Sequence, residues 1–367
     1  MSAVPTITSV QCIPMRLPFH HWAEPPMFAG RPRNRLDSAL VRVETADGLI
    51  GWGESYCVEP RALTAIFESL VSPLACGQRA DDESLLPVMQ RTLHNLGRSG
   101  PVLHALAGLD IALWDLAGKR AGRPVYALLG GKHRNRIPAY ASLLQYYGER
   151  DAIDRVVSRA LAEGYGEIKL HERTAEAVRA ARQAAGIKVP IMVDTNCAWM
   201  PHEAPSAIAG MSESRPFWIE EPLWPPEDGR ALAALRRHCG VPLAVGENAA
   251  SVSEFARLID DQAVDYVQPS VIKIGLTAAW AVSRQCAGQG EVQCAPQVAF
   301  FGPGYLATLH LLAAQVQPAS LERLYVELEF TPFGSSVPIR EGYACVPDGP
   351  GLGAEPEPAL AAGVYAG

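Results

Sequence analysis

The chain has no Cys-x-x-Cys pair, no excess of basic charge, no long uninterrupted apolar run and no low-complexity segment. Each absence removes a class of function. Its eight cysteines are scattered, and Cys197, Cys239, Cys286 and Cys294 fall in or beside regular elements, as reduced thiols do, so no disulfide framework is expected. A net charge of −7 argues against nucleic acid or an anionic membrane as the main partner. Any anionic ligand must therefore be drawn by a local basic patch. No apolar run approaches the roughly 20 residues of a membrane-spanning helix. The opening "MSAVPTITSVQCIPMRLPF" lacks the basic start and apolar stretch of a signal peptide, which makes a cytoplasmic protein the expectation. What is present is a folded chain, 48% apolar over 367 residues, long enough for one large α/β domain and a smaller one.

From Ile137 onward the sequence alternates. The expected strands are "IPAYAS", "EIKL", "IMVD", "FWIE", "LAVGE", "YVQPS", "EVQC" and "YVELEF". Most are separated by segments of helical period, several closed by Gly. The weakest of these is "PHEAPSAIAGMSES". Eight strands at near-constant spacing predict an α/β fold, a parallel (β/α) barrel. Before it, "SALVRVETADGLIGWGES" reads as an antiparallel hairpin turning at Asp47-Gly48, followed by three amphipathic stretches. This is an α+β cap. The Gly- and Pro-rich tail from Thr331 is too long for a ninth repeat and is expected to pack back on the cap.

Three successive strands end in acids: Asp194, Glu220 and Glu247, each one β/α unit from the last. They are thereby placed at the C-terminal mouth, where such barrels carry their sites. Acids crowded there repel unless a cation sits among them, and an all-oxygen ligand set selects a hard ion, Mg²⁺. The bland alternative is that each acid caps the helix after it. Glu221 points to the other side of its strand and reads as a structural partner. One strand earlier, "GEIKLHE" presents Lys169 and His171 on a shared face. His171 is the candidate base, and Lys169 favours its neutral form and can bind a carboxylate.

In order along the chain, "LVRVETADGLIGWGE", "GLDIALWDLAGKRAGRPVYALLGG", "VDTN", "WIEEP", "GEN", "QPSVIKIG", "FFGPGYLATLHL" and "VPDGPGLG" resemble the enolase superfamily, in its mandelate racemase/muconate lactonizing enzyme-like family and the mandelate racemase-like branch. The resemblance implies a modified (β/α) TIM-type barrel with an α+β capping domain formed by the N-terminal part and the C-terminal tail. Residues 1–130 would be the cap, with a lid loop at 18–37, 131–330 the barrel, and 331–367 the tail. It implies abstraction of the proton α to a carboxylate, with Mg²⁺ stabilising an enediolate. By this resemblance Asp194, Glu220 and Glu247 match the metal ligands. Lys169 and His171 match a Lys-x-Lys pair with His in second place. Glu327 matches a position that contacts the substrate carboxylate, with Glu322 and Glu329 close by, and Asn196 of "VDTN" joins the substrate contacts. The family forms homo-oligomers, so one is expected here.

Two departures bear on the reaction. Ser270 stands where the branch carries an Asp, and Gln297 where it carries a His, so the base of the opposite face is missing. Lys273 lies three residues beyond Ser270, at a position that is usually not the base. Single-faced chemistry points to elimination: dehydration of a sugar acid, with His171 as base and then acid. The alternatives are cycloisomerisation of a sugar-acid lactone and a non-catalytic, metal-dependent acid-binding protein. In the lid, His20, His21, Trp22, Arg31, Arg33 and Arg35 are the expected specificity elements, with Arg side chains suited to a second carboxylate. Tyr146 and Tyr147 are expected at the rim. The partner is thus a small-molecule carboxylate.

Overall fold

A computed structural model of the chain describes residues 5–57, 59–331, 333 and 339–357. Residues 1–4 of the expected cap, and 332, 334–338 and 358–367 of the expected tail, lie outside the described residues. In the cap, β1 (Ile7–His20) pairs antiparallel with β4 (Arg35–Thr45), and β4 with β5 (Ile50–Tyr56). The β4–β5 turn falls at Asp47-Gly48, where Gly48 has φ +80° and its N–H donates to Thr45 O at 2.8 Å. Between β1 and β4 a small hairpin forms from β2 (Met27–Phe28) and β3 (Arg31–Pro32).

Helix α1 (Pro60–Ile66) continues through a π-helical turn at Phe67–Val71 into α2 (Ser72–Ala75), and α3 (Leu85–Thr92) follows. The long α4 (Pro101–Ala121) begins with Pro at its first position and ends at Gly122 in the left-handed region. It lies so close to β5 that a Cβ at Gly53 would stand 1.9 Å from Gly108 O. A short α5 (Val125–Leu128) leads to the barrel.

The barrel strands are β6 (Arg136–Ser142), β7 (Ile168–Leu170), β8 (Ile191–Asp194), β9 (Trp218–Glu220), β10 (Leu243–Val245), β11 (Tyr266–Val267), β12 (Gln293–Cys294) and β13 (Leu321–Leu324). They run parallel in that order, and β13 returns to pair with β6. Around them lie α6 (Arg150–Ala162), α7 (Ala175–Ala185), α8 (Ala204–Met211), α9 (Gly229–Cys239), α10 (Val252–Asp260), α11 (Val271–Ile274), α12 (Leu276–Gln289) and α13 (Pro303–Ala314). The weak segment is helical after all, as α8 followed by a 3₁₀ turn. Tyr140, Met192, Trp218, Ala244 and Ala295 pack together inside the barrel and plug its floor.

The eighth strand is displaced from the expected "YVELEF". The barrel closes with "LERL", and Glu327 instead falls in β14 (Glu327–Leu328), which pairs with β1 of the cap. "YVELEF" alternates apolar and polar residues, whereas "LERL" sets two charged residues side by side. In "LERL" Leu321, Glu322 and Leu324 are all buried, while Glu327 is exposed. The hairpin β15 (Ile339–Arg340) and β16 (Tyr343–Cys345) pairs with the start of β6, and the tail then reaches α4. There Asp115 accepts hydrogen bonds from Leu352 N and Trp52 N. All eight cysteines are free thiols, and among the described residues no helix is long and apolar enough to cross a membrane.

Cap and barrel are joined by cap carboxylates at the N-termini of barrel helices. Asp110 of α4 accepts from Thr277 N at 2.8 Å and Thr277 Oγ1 at 2.6 Å at the start of α12. Glu54 of β5 accepts from Gly304 N at 2.9 Å at the start of α13, and from Ser38 Oγ at 2.8 Å. Burial pushes the Glu54 carboxyl up to about 7, against the lowering effect of these donors. The folded protein therefore holds this proton where the unfolded chain has lost it. The resulting stabilisation, about 3 kcal/mol at most, is present at acid pH and fades as pH rises from about 4.5 through 7. In urea unfolding, stability of the wild type should fall more steeply over that window than that of Glu54→Gln. Equal slopes would disprove the assignment.

Candidate active site

Lys169 is the central residue of β7 and points into the barrel, with its side chain 1% exposed. Its Nζ lies 2.6 Å from Glu220 Oε1, 2.9 Å from Glu322 Oε1 and 3.1 Å from Asp194 Oδ2. Burial alone would lower the Lys169 pKa, but Glu220, Glu322 and Asp194 outweigh it and hold the ammonium well above its ordinary value. The same contest, decided by Lys169 and His171, keeps Asp194 well below the usual carboxylate range. Glu220 goes the other way. Desolvation, Asp194 and Glu322 together exceed the help of Lys169 and raise it far above its ordinary value.

Each acid is also held by further donors, two of them from their own or the adjoining strand end and Glu322 from its neighbours. Trp218 Nε1 donates to Glu220 Oε2 at 3.0 Å from one layer below. Asn196 N and Nδ2 both donate to Asp194 Oδ1 at 2.9 Å. Ser142 Oγ donates to Glu322 Oε1 at 2.7 Å and Val298 N to Glu322 Oε2 at 3.1 Å. That last bond ties the loop after β12 to β13 where the two strands do not pair.

His171 follows β7 directly. Its Nδ1 lies 2.5 Å from Leu143 O, and because a carbonyl only accepts, Nδ1 carries the hydrogen. Nε2, 3.3 Å from Asp194 Oδ2, is then the nitrogen left to take a proton. Glu247 lies two residues past β10, beyond Gly246 at φ +141°, and is only half-buried. Glu221 is buried with φ +43°, and it accepts from Gly246 N at 2.8 Å. It braces the loop that carries Glu247, and burial pushes its carboxyl up to about 7.

Among the described residues no three His, Cys, Asp or Glu side chains close on a point as a preformed metal site. The donors nevertheless fit a hard cation. Asp194, Glu220 and Glu322 crowd on a single ammonium, an all-oxygen carboxylate set of the kind that suits a hard cation. Glu247 supplies a further oxygen donor at the rim. From the lid, the half-buried Arg33 interacts electrostatically with Tyr56, Glu247, Glu322 and Asp194, and its Cζ stands 4.7 Å from the Phe28 ring centre.

The remaining expected residues divide. His21 stacks on Tyr146 with ring centres 5.7 Å apart, Tyr146 N donates to Glu172 Oε1 at 2.6 Å, and Tyr147 OH accepts from Met27 N at 2.8 Å, which fastens the lid to the barrel. Ser270 and Gln297 are buried and bridge β11 and β12 beyond their strands. Lys273 Nζ donates to Glu247 O at 2.9 Å. Three are not brought to the carboxylate cluster. Arg31 is exposed, 3.9 Å from Glu59, and His20 is exposed, 3.6 Å from Glu329. Glu327 is exposed on β14, within 4.0 Å of Arg159. His20 and Glu327 line an outer cleft of about 980 Å³ between lid and cap. Glu322 takes the place expected for Glu327. Its signal was the inward position of a strand bounded by buried Leu321 and Leu324.

Comparison with known proteins agrees with this architecture. Residues 17–130 match the family model described as "Mandelate racemase / muconate lactonizing enzyme, N-terminal domain", and residues 152–360 match "Enolase C-terminal domain-like". The chain is 31% identical to a D-galactarolactone cycloisomerase of Agrobacterium fabrum, over 88% of this chain and 89% of that protein. It is 31% identical to a D-galactonate dehydratase of Ralstonia pickettii, again over 88% and 89%. A solved member of the enolase superfamily from Agrobacterium tumefaciens superposes with a TM-score of 0.85 at 25% identity, covering 98% of each chain.

The Glu322 and Glu327 placements differ in consequence. Glu322→Gln should lower turnover by about 100-fold or more, since it unbalances Lys169. Glu327→Gln should stay within about twofold, as surface changes do. Steady-state kinetics of the two variants in parallel check this, and the reverse order would refute it.

Proposed function

This chain belongs to the mandelate racemase/muconate lactonizing enzyme family of the enolase superfamily, and from that premise we propose that it abstracts the proton α to the carboxylate of a sugar acid or sugar-acid lactone and so expels the β-oxygen. The cofactor in this reading is Mg²⁺, held by Asp194, Glu220 and Glu247. When bound, it supplies positive charge against the charge that develops on the substrate carboxylate.

The observation that carries the reading is the orientation of His171. With Nδ1–H committed to Leu143 O, Nε2 is presented beside the carboxylate cluster. Lys169, fixed by its three acids, offers an ammonium to a substrate oxygen. Asn196 and Trp218 keep Asp194 and Glu220 in place. The lid, tied down through His21, Trp22 and Tyr147, keeps water from the mouth, and Arg33 supplies a cation for a second carboxylate. The proton gained by His171 can leave with a β-hydroxyl on the same face, which is dehydration. A lactone carboxylate needs no such proton, and its departure is cycloisomerisation. Relatives named for both reactions support the shared first step, and the intact Lys169–His171 pair speaks against a non-catalytic protein. A homo-oligomer is the assembly expected from the family.

In D₂O with Mg²⁺, wild-type protein should exchange the α-proton of its substrate acid. His171→Asn should lower that exchange by about 100- to 10,000-fold, the range for a lost general base, while still binding the acid. Exchange near the wild-type rate in His171→Asn would assign the base elsewhere. Mg²⁺ should also raise the thermal midpoint of the wild type, by an amount that reflects about 3 kcal/mol when the ion is at about 100 times its dissociation constant. Asp194→Asn should lose this shift, and retention of the full shift would remove Asp194 from the ligand set.

A further inference from the structure

The ends of β11 and β12 carry no acid, although Glu247 past β10 and Glu322 of β13 flank them. There stand Gln268, Ser270 and Gln297, which are 0%, 1% and 6% exposed. Among the described residues, neither side-chain amide atom of Gln268 has a hydrogen-bond partner, nor does Ser270 Oγ or Gln297 Oε1. Buried polar groups are rarely left so, because each keeps the cost of desolvation with nothing in return. Here four such atoms share one wall.

They also share a direction. Tyr266 of β11 packs against the barrel-floor cluster, so it faces inward, and the strand period turns Gln268 and Ser270 the same way at successive heights. Ser270 and Gln297 are bridged to one another. In the closed barrel β8, β9 and β10 lie between this wall and β7 on one side, and β13 and β6 on the other. Lys273 Nζ donates to Glu247 O at 2.9 Å and lies 4.9 Å from the Tyr56 ring centre.

We infer that Gln268, Ser270 and Gln297 form the site of the departing β-oxygen, and that this oxygen leaves as the carboxylate of an opening lactone ring. The inference rests on the function proposed above. Amides and a hydroxyl donate hydrogen bonds but do not give up a proton near neutral pH. No group of the wall itself can protonate a departing hydroxide, whereas a carboxylate is stable as it departs without a proton. In the step, the Cα–H bond breaks and the proton passes to His171 Nε2. Its electron pair forms the Cα=Cβ bond as the Cβ–O bond breaks, and the oxygen's pair leaves with the ring carboxylate. Gln268 Nε2–H and Ser270 Oγ–H donate to that carboxylate, and Gln268 Oε1 and Gln297 Oε1 accept from sugar hydroxyls. The α-hydroxyl makes the product an enol, which regains a proton at Cβ to give a keto deoxy acid. Substrate and product are isomers, so no co-reactant is required.

The test uses Mg²⁺-loaded protein in D₂O, with γ-lactones of aldaric acids and the matching open-chain aldarates and aldonates, followed by proton NMR. Lactones should open to keto deoxy diacids, while open-chain acids exchange the α-proton and release no water. In Gln268→Leu and Gln297→Leu, ring opening should fall at least about tenfold further than α-exchange, because the wall acts on the C–O bond. A merely structural role would lower both equally, and that outcome overturns the inference. So does dehydration of open-chain acids as fast as ring opening, which would mean that the β-oxygen departs beside a proton donor, His171 included, and not at this wall. If wild-type protein neither exchanges nor opens any of these acids, the proposed function itself fails and this inference falls with it.

Discussion

The site is organised around one buried ammonium. Lys169 sits at 1% exposure between three carboxylates from three other strands, β8, β9 and β13. Strand β13 closes the barrel against β6, so the Lys169–Glu322 contact joins the ends of the strand series. An unpaired charge at this depth would be prohibitive, and three unpaired acids more so. Lys169 is thus a condition for gathering the acids. The rim acid Glu247 and the lid residue Arg33 face the cluster from outside.

Catalytic geometry here is secured by groups that do no chemistry. Leu143 O decides which nitrogen of His171 is free. Trp218 in the barrel floor reaches up to Glu220, and Glu221 holds the backbone that carries Glu247. The backbone is bent into the left-handed region at Asn196, Cys197 and Glu221, all just past strand ends, where such strain tends to collect at working sites. The cap is held to the barrel by the same economy of charge, through Glu54 and Asp110 at the starts of α13 and α12. Cap and barrel are thereby tied together at two helix starts.

The asymmetry of the mouth separates this chain from a two-base design. The ends of β7, β8 and β9 carry Lys169, His171, Asp194 and Glu220. Those of β11 and β12 carry uncharged hydrogen-bonding groups between Glu247 and Glu322, and Lys273 Nζ donates to Glu247 O. A one-sided base with a neutral wall opposite suits elimination better than inversion at Cα, where both faces must exchange a proton.

Much was legible from the sequence because it depends on local period. Apolar strands alternating with helices, and acids recurring one β/α unit apart, placed Lys169, His171, Asp194 and Glu220 on neighbouring strands without any knowledge of contacts. Even the marginal helix at α8 and the Asp47-Gly48 turn followed from residue type. The last strand did not, because "YVELEF" alternates and "LERL" does not, and only pairing partners separate a barrel strand from one that joins the cap. The same limit misplaced Glu327 and overlooked Glu322 as the third acid on Lys169. The lid was recognisable as a loop, but which of its charged residues faced inward depended on how the β2–β3 hairpin settles over the mouth: Arg33 turns in, whereas Arg31 and His20 turn out. Sequence by itself determined the repeat and the chemistry it could present, since those follow from the period of the chain. Tertiary structure decided which groups share a charge, which nitrogen of His171 is free and which polar atoms go unpartnered, since each depends on residues far apart in sequence being brought within a few ångströms.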